Sequence, residues 1–381
     1  MVRAAVLVGT GQPLEIRDDI EVADPRAGEV LVRMVASGVC HSDLSARDGA
    51  LLVPTPVVLG HEGAGVVEAV GDGVTSPAVG DHVVVGWVAQ CRACFYCARG
   101  EGHLCEKAVT ALASGGLLDG TTRLRSRGAP LFQMSGSGTF AEVAVVPATA
   151  AVTVDRDLDL GLAALLGCAV VTGTGAARRT ARIAAGDTVA VVGCGGVGLN
   201  VIQGARIAGA ARIIAVDAHR EKLKLAASFG ATDAVDATAG DTVSAVMALT
   251  GQRGADVAFE VVGLQATIDQ TIAMTRRGGQ AVLVGIPDLD AVVSLPAFFG
   301  LVLAGKTIRG CWYGSSTARD EVPRLVSLYR SGQLRLAELV SQTIELDGVN
   351  DALERLRHGA GVRSVIRHRT TGPPDRRRLD M

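Results

Sequence analysis

Four of the eight cysteines in this 381-residue chain crowd into Cys91-x2-Cys94-x2-Cys97-x7-Cys105. Thiolates are soft ligands, and four of them close a tetrahedral shell around Zn²⁺ with Zn–S near ~2.3 Å and no position left for substrate, which is structural rather than catalytic chemistry. The alternative is four unrelated buried thiols; the polar, glycine-containing setting of Arg92, Arg99, Gly100, Glu101 and Gly102 argues against it. With no secretion signal in the chain, metal binding is favoured over a disulfide framework. Two further fragments, Gly38-Val39-Cys40-His41-Ser42-Asp43 and Gly60-His61-Glu62-Gly63-Ala64-Gly65, each set soft or borderline metal ligands beside a carboxylate. Taken singly, His61 reads as a satisfied core histidine and Cys40 or Cys168 as small core hydrophobes.

A second chemistry is written in Gly193-Cys194-Gly195-Gly196-Val197-Gly198, which follows the apolar run Thr188–Val192 and precedes a helical stretch. This is the G-x-G-x-x-G pattern in its strand–turn–helix setting. Gly193 makes the tight turn, Gly195 lets the backbone approach a pyrophosphate, and Gly198 permits close helix–strand packing. The helix N-terminus then presents unpaired N–H groups and a positive dipole end to the phosphates. The next strand ends at Asp217, whose carboxylate accepts the adenosine ribose hydroxyls and repels a 2′-phosphate, favouring NAD over NADP.

These residues need elements to hold them. Glu29–Ala36 and His82–Val88 read as valine-rich strands of a β-rich first part. From about Gly161 short apolar strands (Thr188–Val192, Arg212–Val216, Asp256–Val261, Gln280–Val284) alternate with helices such as Leu199–Ala208 and Arg220–Phe229. That alternation predicts a parallel sheet covered by helices on both faces. After Lys306 the content is mixed, with helices expected over Val322–Ser331 and Val349–His358. The tail from Thr370, TGPPDRRRLDM, reads as disordered. The length favours two domains, and 48 glycines against 3% aromatics imply many tight turns. A formal net charge of −2 provides no field to recruit nucleic acid or an anionic membrane. No apolar run reaches the roughly 18 residues needed to span a bilayer, and Met1–Thr10 lacks the sections of a signal peptide, so the expected location is cytoplasmic.

With these fragments in view, the chain resembles the zinc-containing medium-chain alcohol dehydrogenases, nearest the branch that includes glutathione-dependent formaldehyde dehydrogenase. The likeness runs from about Val2 to Arg367 and takes in the four-cysteine lobe, Phe140–Val146, Leu166-Gly167-Cys168, the glycine turn and Arg363. It implies an α/β architecture: a GroES-like β-rich catalytic domain from residues 1–168 and 312–369 carrying the lobe 91–105, and an inserted Rossmann nucleotide domain, residues 169–311. It implies two zinc ions per chain. One is structural, on Cys91, Cys94, Cys97 and Cys105. The other is catalytic, on Cys40, His61 and Cys168, with Glu62 as an occasional alternative ligand and a fourth position open for an alcohol oxygen. Asp43 matches the carboxylate that orients the His61 ring. Ser42 matches the hydroxyl that takes the substrate proton and passes it through the nicotinamide ribose. Relatives that end this relay in a histidine have it where this chain has Ser45, which is no base near neutral pH. His41, Lys222 and Arg363 match cations placed against the cofactor, alongside Gly193, Gly195, Gly196, Val197, Gly198 and Asp217. Cys194 and Cys311 match no role in the family.

The expected reaction is hydride transfer between a primary alcohol or aldehyde and NAD. The runner-up is oxidation of a low-molecular-weight thiol adduct of formaldehyde; the arginine that grips the adduct's carboxylate in that branch falls here near Val109, a departure that counts against it. A third reading, a non-catalytic binding protein, would call for a lost catalytic ligand, and none is lost. Leu51, Leu52, Leu112, Leu117 and Leu118 are candidates for an apolar substrate pocket. The resemblance further implies pairing of subunits through the nucleotide domains, by way of the apolar segment Leu295–Leu303, as a homodimer or homotetramer.

Overall fold

The computed structural model describes residues 1–369; the tail from Thr370 lies outside the described residues. Three sheets organise the described residues. Val2–Leu7, Glu15–Val22, Leu124–Ser126, Ala129–Gln133 and Val57–Val58 close a small barrel. A seven-stranded sheet runs in the order Ala151–Val154, His82–Val85, Glu62–Val70, Glu29–Val39, Arg363–Arg367, Val340–Ile344, with Val143–Pro147 also paired to Glu29–Val39. Its long central strand, EVLVRMVASGV, is buried along most of its length, as a β-branched run between two covered faces demands. The last strand among the described residues, Arg363–Arg367, pairs antiparallel with it, Ser364 opposite Val39, and so returns to the N-terminal unit.

The third sheet has six parallel strands ordered Asp233–Asp236, Arg212–Asp217, Thr188–Val192, Ala255–Glu260, Thr275–Leu283, Thr307–Gly310. Numbered along the chain this order is 3-2-1-4-5-6, the doubly wound arrangement whose direction reverses beside the first strand and leaves a ligand crevice there. The pattern TVAVV explains why both faces are covered: Val189 and Val191 enter one core, Ala190 and Val192 another on the opposite face. Full burial of each valine contributes about 1.5–3 kcal/mol, so neither face tolerates exposure. The first of those cores also holds Ala36, Ala64 and Val84 of the seven-stranded sheet, so hydrophobic packing is continuous between the two units.

Element boundaries moved where tertiary contacts override local pattern. The strand expected over His82–Val88 ends at Val85, because Gly86 presses against Ala318 and the chain turns inward at Trp87. The helix after the glycine turn starts at Gly196, inside the turn, and stops at a left-handed Gly209. Thr317, whose Oγ1 accepts from the Asp320 N–H at 3.3 Å, starts the following helix at Ala318, earlier than Val322. Asp233–Asp236 and Thr307–Gly310 are additional strands, short and at the sheet's edges, where the apolar signal is weakest. No single helix among the described residues is long and apolar enough to cross a membrane; Leu160–Gly167 and Ala169–Thr180 form a pair bent by 52° within the protein core.

Candidate active site and metal centres

Cys40 leaves the central strand as the residue just before helix His41–Asp48, and Asp43 in the first turn of that helix accepts the Cys40 N–H at 2.9 Å. His61 comes from the turn before strand Glu62–Val70. That turn needs Gly60 at φ +89°, since a side chain there would strike Phe140 and Thr139. Cys168 sits between two short helical turns, Ala164–Gly167 and Ala169–Gly175. Gly167 brings this junction against the Val85 carbonyl, where a Cβ would come within 2.4 Å. Three separate chain segments thus meet. One ligand atom from each of Cys40, His61, Glu62 and Cys168 lies within 4.8 Å of every other, all buried.

The electrostatics of these donors suit a cation. The hydrogen bond between the Cys40 and Cys168 thiols, together with Arg363 and His61, holds the Cys40 thiol well below its ordinary range. Cys168 is pushed up by the same thiol pair and by burial. Burial disfavours a charged His61, but Asp43 and Cys40 outweigh it and raise its pKa well above that of free imidazole. Burial lifts the Glu62 carboxyl to about 7 against the opposing pull of Arg363, and neither Glu62 oxygen has a hydrogen-bond partner. Orphaned buried acceptors beside two thiols and an imidazole fit a dication with mixed S/N/O ligation. Asp43 completes the centre: its Oδ1 lies 3.1 Å from His61 Nδ1 and accepts the Gly60 N–H at 3.1 Å.

The second cysteine set also converges. Cys91, Cys94, Cys97 and Cys105 place their sulfurs within 4.8 Å of one another, and backbone N–H groups of Cys91 and Cys94 donate to the sulfurs of Cys105 and Cys91 at 3.2 and 3.3 Å. Backbone N–H groups of Cys97 and Glu106 pull the Cys94 thiol down to about 6, whereas burial and Cys94 push Cys97 up to about 12. Four sulfurs this close together match the ligand count of a closed tetrahedral shell.

Cys40, His61 and Cys168 face a cavity of about 650 Å³ between the seven-stranded and the parallel sheets. Across it stand Gly193, Gly195, Gly196, Val197 and Gly198, with Asp217 and Lys222 deeper along the parallel sheet. Nothing lies within 4 Å of the point where a Gly195 Cβ would be, so the turn leaves open space toward the cavity, as a pyrophosphate cradle requires. Gly198 is indispensable for another reason: its Cβ would sit 1.8 Å from the Gly193 carbonyl oxygen. Asp217 also braces the turn, accepting the N–H of Cys194 at 2.7 Å and of His219 at 2.8 Å. Ser42, His41 and Ser45 line the same cavity, with Ser42 Oγ 3.8 Å from Cys40 Sγ. Arg363 is buried, 3.5 Å from Cys40 Sγ, so its guanidinium lies at the donor cluster as well as beside the turn.

The pocket lining departs from the leucine expectation. Leu51 and Leu112 line the cavity. Leu52 is 70% exposed, Leu117 packs instead with Leu31, Val143 and Val145, and Leu118 borders a separate small void, because Gly115 ends the lobe helix and swings the following residues away. Residues that the sequence did not single out take their place: Trp87, Met134, Ser135, Thr172 and Trp312. Trp87 stands edge-on to His61 (centroids 6.3 Å apart), Trp312 (4.9 Å) and Tyr313 (4.8 Å). A tryptophan pair in a chain with so few aromatics was the available signal. Cys311 also borders this cavity, and Cys194 is a buried filler in the turn.

Comparison with known proteins places this arrangement among relatives. Residues 26–156 match the alcohol dehydrogenase GroES-like domain and residues 196–331 the zinc-binding dehydrogenase domain. The chain is 40% identical over 371 residues to an S-(hydroxymethyl)glutathione dehydrogenase of Photobacterium damsela subsp. piscicida, covering 96% of this chain and 99% of that one. Among solved structures it is similar to an alcohol dehydrogenase zinc-binding domain protein from Burkholderia ambifaria (39% identity, TM-score 0.91, 96% and 98% covered). It is likewise similar to benzyl alcohol dehydrogenase from Acinetobacter calcoaceticus (32% identity, TM-score 0.91, 97% and 99% covered).

Proposed function

Because the chain belongs to the zinc-containing medium-chain alcohol dehydrogenases, oxidoreductases that act on CH–OH groups with zinc and a nicotinamide dinucleotide, we propose that Cys40, His61 and Cys168 hold the catalytic zinc, with Glu62 as alternative ligand, and that the reaction is oxidation of a primary alcohol or its reverse. The observation that carries this reading is the convergence of four buried donors on the cavity that the glycine turn shares. When bound, zinc supplies Lewis acidity toward an alcohol or carbonyl oxygen, and the nicotinamide supplies the hydride site.

The chain's own residues do the rest. Asp43 accepts from His61 Nδ1–H and so presents Nε2 to the donor set. Ser42 Oγ, beside Cys40 Sγ and open to the cavity, takes the substrate proton. Asp217 and the turn Gly193, Gly195, Gly196, Val197 and Gly198 hold the dinucleotide, with His41, Lys222 and Arg363 as its cations and the Asp217 carboxylate selecting NAD. Trp87 and Trp312 shape an apolar chamber that excludes water from the reacting centre. Cys91, Cys94, Cys97 and Cys105 hold a structural zinc. The catalytic unit comprises residues 1–168 and 312–369, and the nucleotide unit residues 169–311.

A second reading, dehydrogenation of a thiol adduct of formaldehyde, is favoured by the name of the Photobacterium relative. The deciding experiment combines zinc analysis with a panel of alcohols and aldehydes, each assayed with NAD and NADP, with and without glutathione. Two zinc ions and NAD-linked turnover of primary alcohols are expected. Activity confined to formaldehyde plus thiol would establish the second reading, and an NADP preference would overturn the role of Asp217.

Subunit association fits the exposed apolar stretch around the helical turn Ala297–Val302. Phe299 and Val302 there are 71% and 68% exposed, beside the sheet's edge strand Thr307–Gly310. A homodimer or homotetramer built on that face predicts no monomer in sedimentation. A reducing, cytoplasmic setting suits eight cysteines that form no disulfide.

A further inference from the structure

The backbone runs left-handed through three successive residues, Tyr313 at φ +51°, Gly314 at φ +68° and Ser315 at φ +49°. Glycine adopts such angles freely, whereas a tyrosine does so only where its surroundings over-determine the backbone. Here the helical stretch Ala169–Gly175, continued by Ala176–Thr180, supplies much of that constraint. A Cβ on Gly314 would come within 2.5 Å of the Val171 carbonyl oxygen, and Ser315 Oγ lies 2.8 Å from Thr180 Oγ1. At the other end of the stretch, just before Cys168, the Tyr313 hydroxyl donates to the Gly167 carbonyl at 2.6 Å. Tyr313 is 1% exposed, and burial together with Cys168 and Glu62 pushes its phenol well above the ordinary range, so it donates as a neutral hydroxyl.

The acceptor is a peptide that nothing in its own sequence holds in place. Position 167 requires glycine, because a Cβ would meet the Val85 carbonyl oxygen at 2.4 Å, and glycine leaves the following peptide free to rotate. That peptide leads into Cys168, whose backbone (φ −141°, ψ −78°) breaks the helical path and has no side-chain cap. Because the peptide unit is planar, fixing the Gly167 carbonyl fixes the N–H and Cα of Cys168 and hence the direction in which its side chain leaves.

We propose that Tyr313 is a positioning residue whose hydroxyl locks the Gly167–Cys168 peptide and thereby aims the Cys168 thiol at Cys40 and His61. The inference rests on the proposed role of Cys168 as a zinc ligand and names the group that orients it. Asp43 does this for the segments of Cys40 and His61; Tyr313 does it for the third.

The test uses the full-length, zinc-loaded protein. Tyr313→Phe keeps the ring and removes only the hydroxyl, and Ser315→Ala removes a bond of similar length from the same segment, away from Gly167. Zinc release to a chromogenic chelator is followed in both, and the cavity zinc is exchanged for Co²⁺, whose visible thiolate charge-transfer and d–d bands report ligand geometry. In Tyr313→Phe the cavity zinc leaves at least about tenfold faster, the four-cysteine zinc leaves at its wild-type rate, and the cobalt bands shift. In Ser315→Ala both the release and the cobalt bands stay as in the wild type. Wild-type release and bands in Tyr313→Phe overturn the inference, and so do equal changes in the two variants, which would mark general loosening of the segment. If Tyr313→Phe does not fold, a crystal structure of the wild-type zinc form decides: a hydroxyl bonded to the Gly167 carbonyl with Cys168 on the metal sustains the inference, and a hydroxyl turned elsewhere overturns it. A wild type holding one zinc overturns the role of Cys168 as well; two zinc ions with Tyr313→Phe unchanged overturn this inference alone.

Discussion

The Oδ1 atom of Asp43 lies 3.1 Å from Nδ1 of His61, and the same carboxylate accepts the N–H groups of Cys40 and Gly60, so one buried acid orients two of the three segments that deliver the proposed metal ligands. Asp43→Asn puts an amide in its place, which cannot accept at every one of these contacts. Loss of such outer support weakens metal affinity or activity by about 10- to 100-fold. We expect kcat/KM to fall in that range and the cavity zinc to be lost first on dialysis; unchanged zinc retention would refute the orienting role.

Gly198 closes on the Gly193 carbonyl with no room for a methyl group. Gly198→Ala must shift the helix off the strand, an overpacking cost of about 1–3 kcal/mol that falls on the pyrophosphate cradle. Isothermal titration should show NADH affinity reduced at least about tenfold while zinc content stays at the wild-type value.

Trp87 separates His61 from Trp312 and Tyr313 across the cavity. Trp87→Ala opens that wall. The ratio of kcat/KM for a bulky aromatic or branched alcohol to that for a short straight-chain alcohol should rise at least about tenfold, the scale of discrimination that pocket shape supplies. A ratio that stays constant would remove Trp87 from the substrate chamber.

Cys97 belongs to the cysteine cluster that lies apart from the cavity. In Cys97→Ser, metal analysis should count one zinc fewer per chain, and thermal unfolding should begin at lower temperature because structural metal binding contributes directly to folding free energy. A variant that keeps both its zinc count and its Tm would dissociate this cluster from metal.

His368 supplies a pH dependence from outside both donor clusters. Burial depresses its pKa to about 4; Ser37 Oγ donates to the Thr139 carbonyl at 2.6 Å, so His368 Nε2–H donates to Ser37 at 2.9 Å and Nδ1 is left bare. The unfolded histidine titrates near 6.5. Between 6.5 and 4 the unfolded chain therefore binds the extra proton, so this contribution is intact above 6.5 and is lost as pH falls toward 4. At pH 5 the loss amounts to about 2 kcal/mol, at roughly 1.4 kcal/mol per pH unit. Urea unfolding of His368→Asn at pH 7 and pH 5 should show a smaller difference than the wild type; an equal difference would place the titration elsewhere.

What the sequence alone determined is what local chain geometry can determine. Cys91, Cys94, Cys97 and Cys105 are close enough along the chain that their spacing nearly dictates a common centre. The turn Gly193–Gly198 carries its strand and helix with it, and Val189 to Val192 announce a strand buried on both faces. The α/β class and the family followed from those fragments. Boundaries slipped at Gly86 and Thr317, where a contact with a distant helix and a capping hydroxyl outweighed the apolar pattern. Tertiary structure alone decided what must cross long stretches of chain. Arg363 meets Cys40 from 323 positions away, Trp87 and Trp312 stand at the cavity with Leu51 and Leu112 where Leu52, Leu117 and Leu118 were also expected, and Glu62 finds its place only over a bare Gly38. The physical reason is that such meetings are set by sheet pairing and by the shape of the packed core, quantities that no single segment encodes.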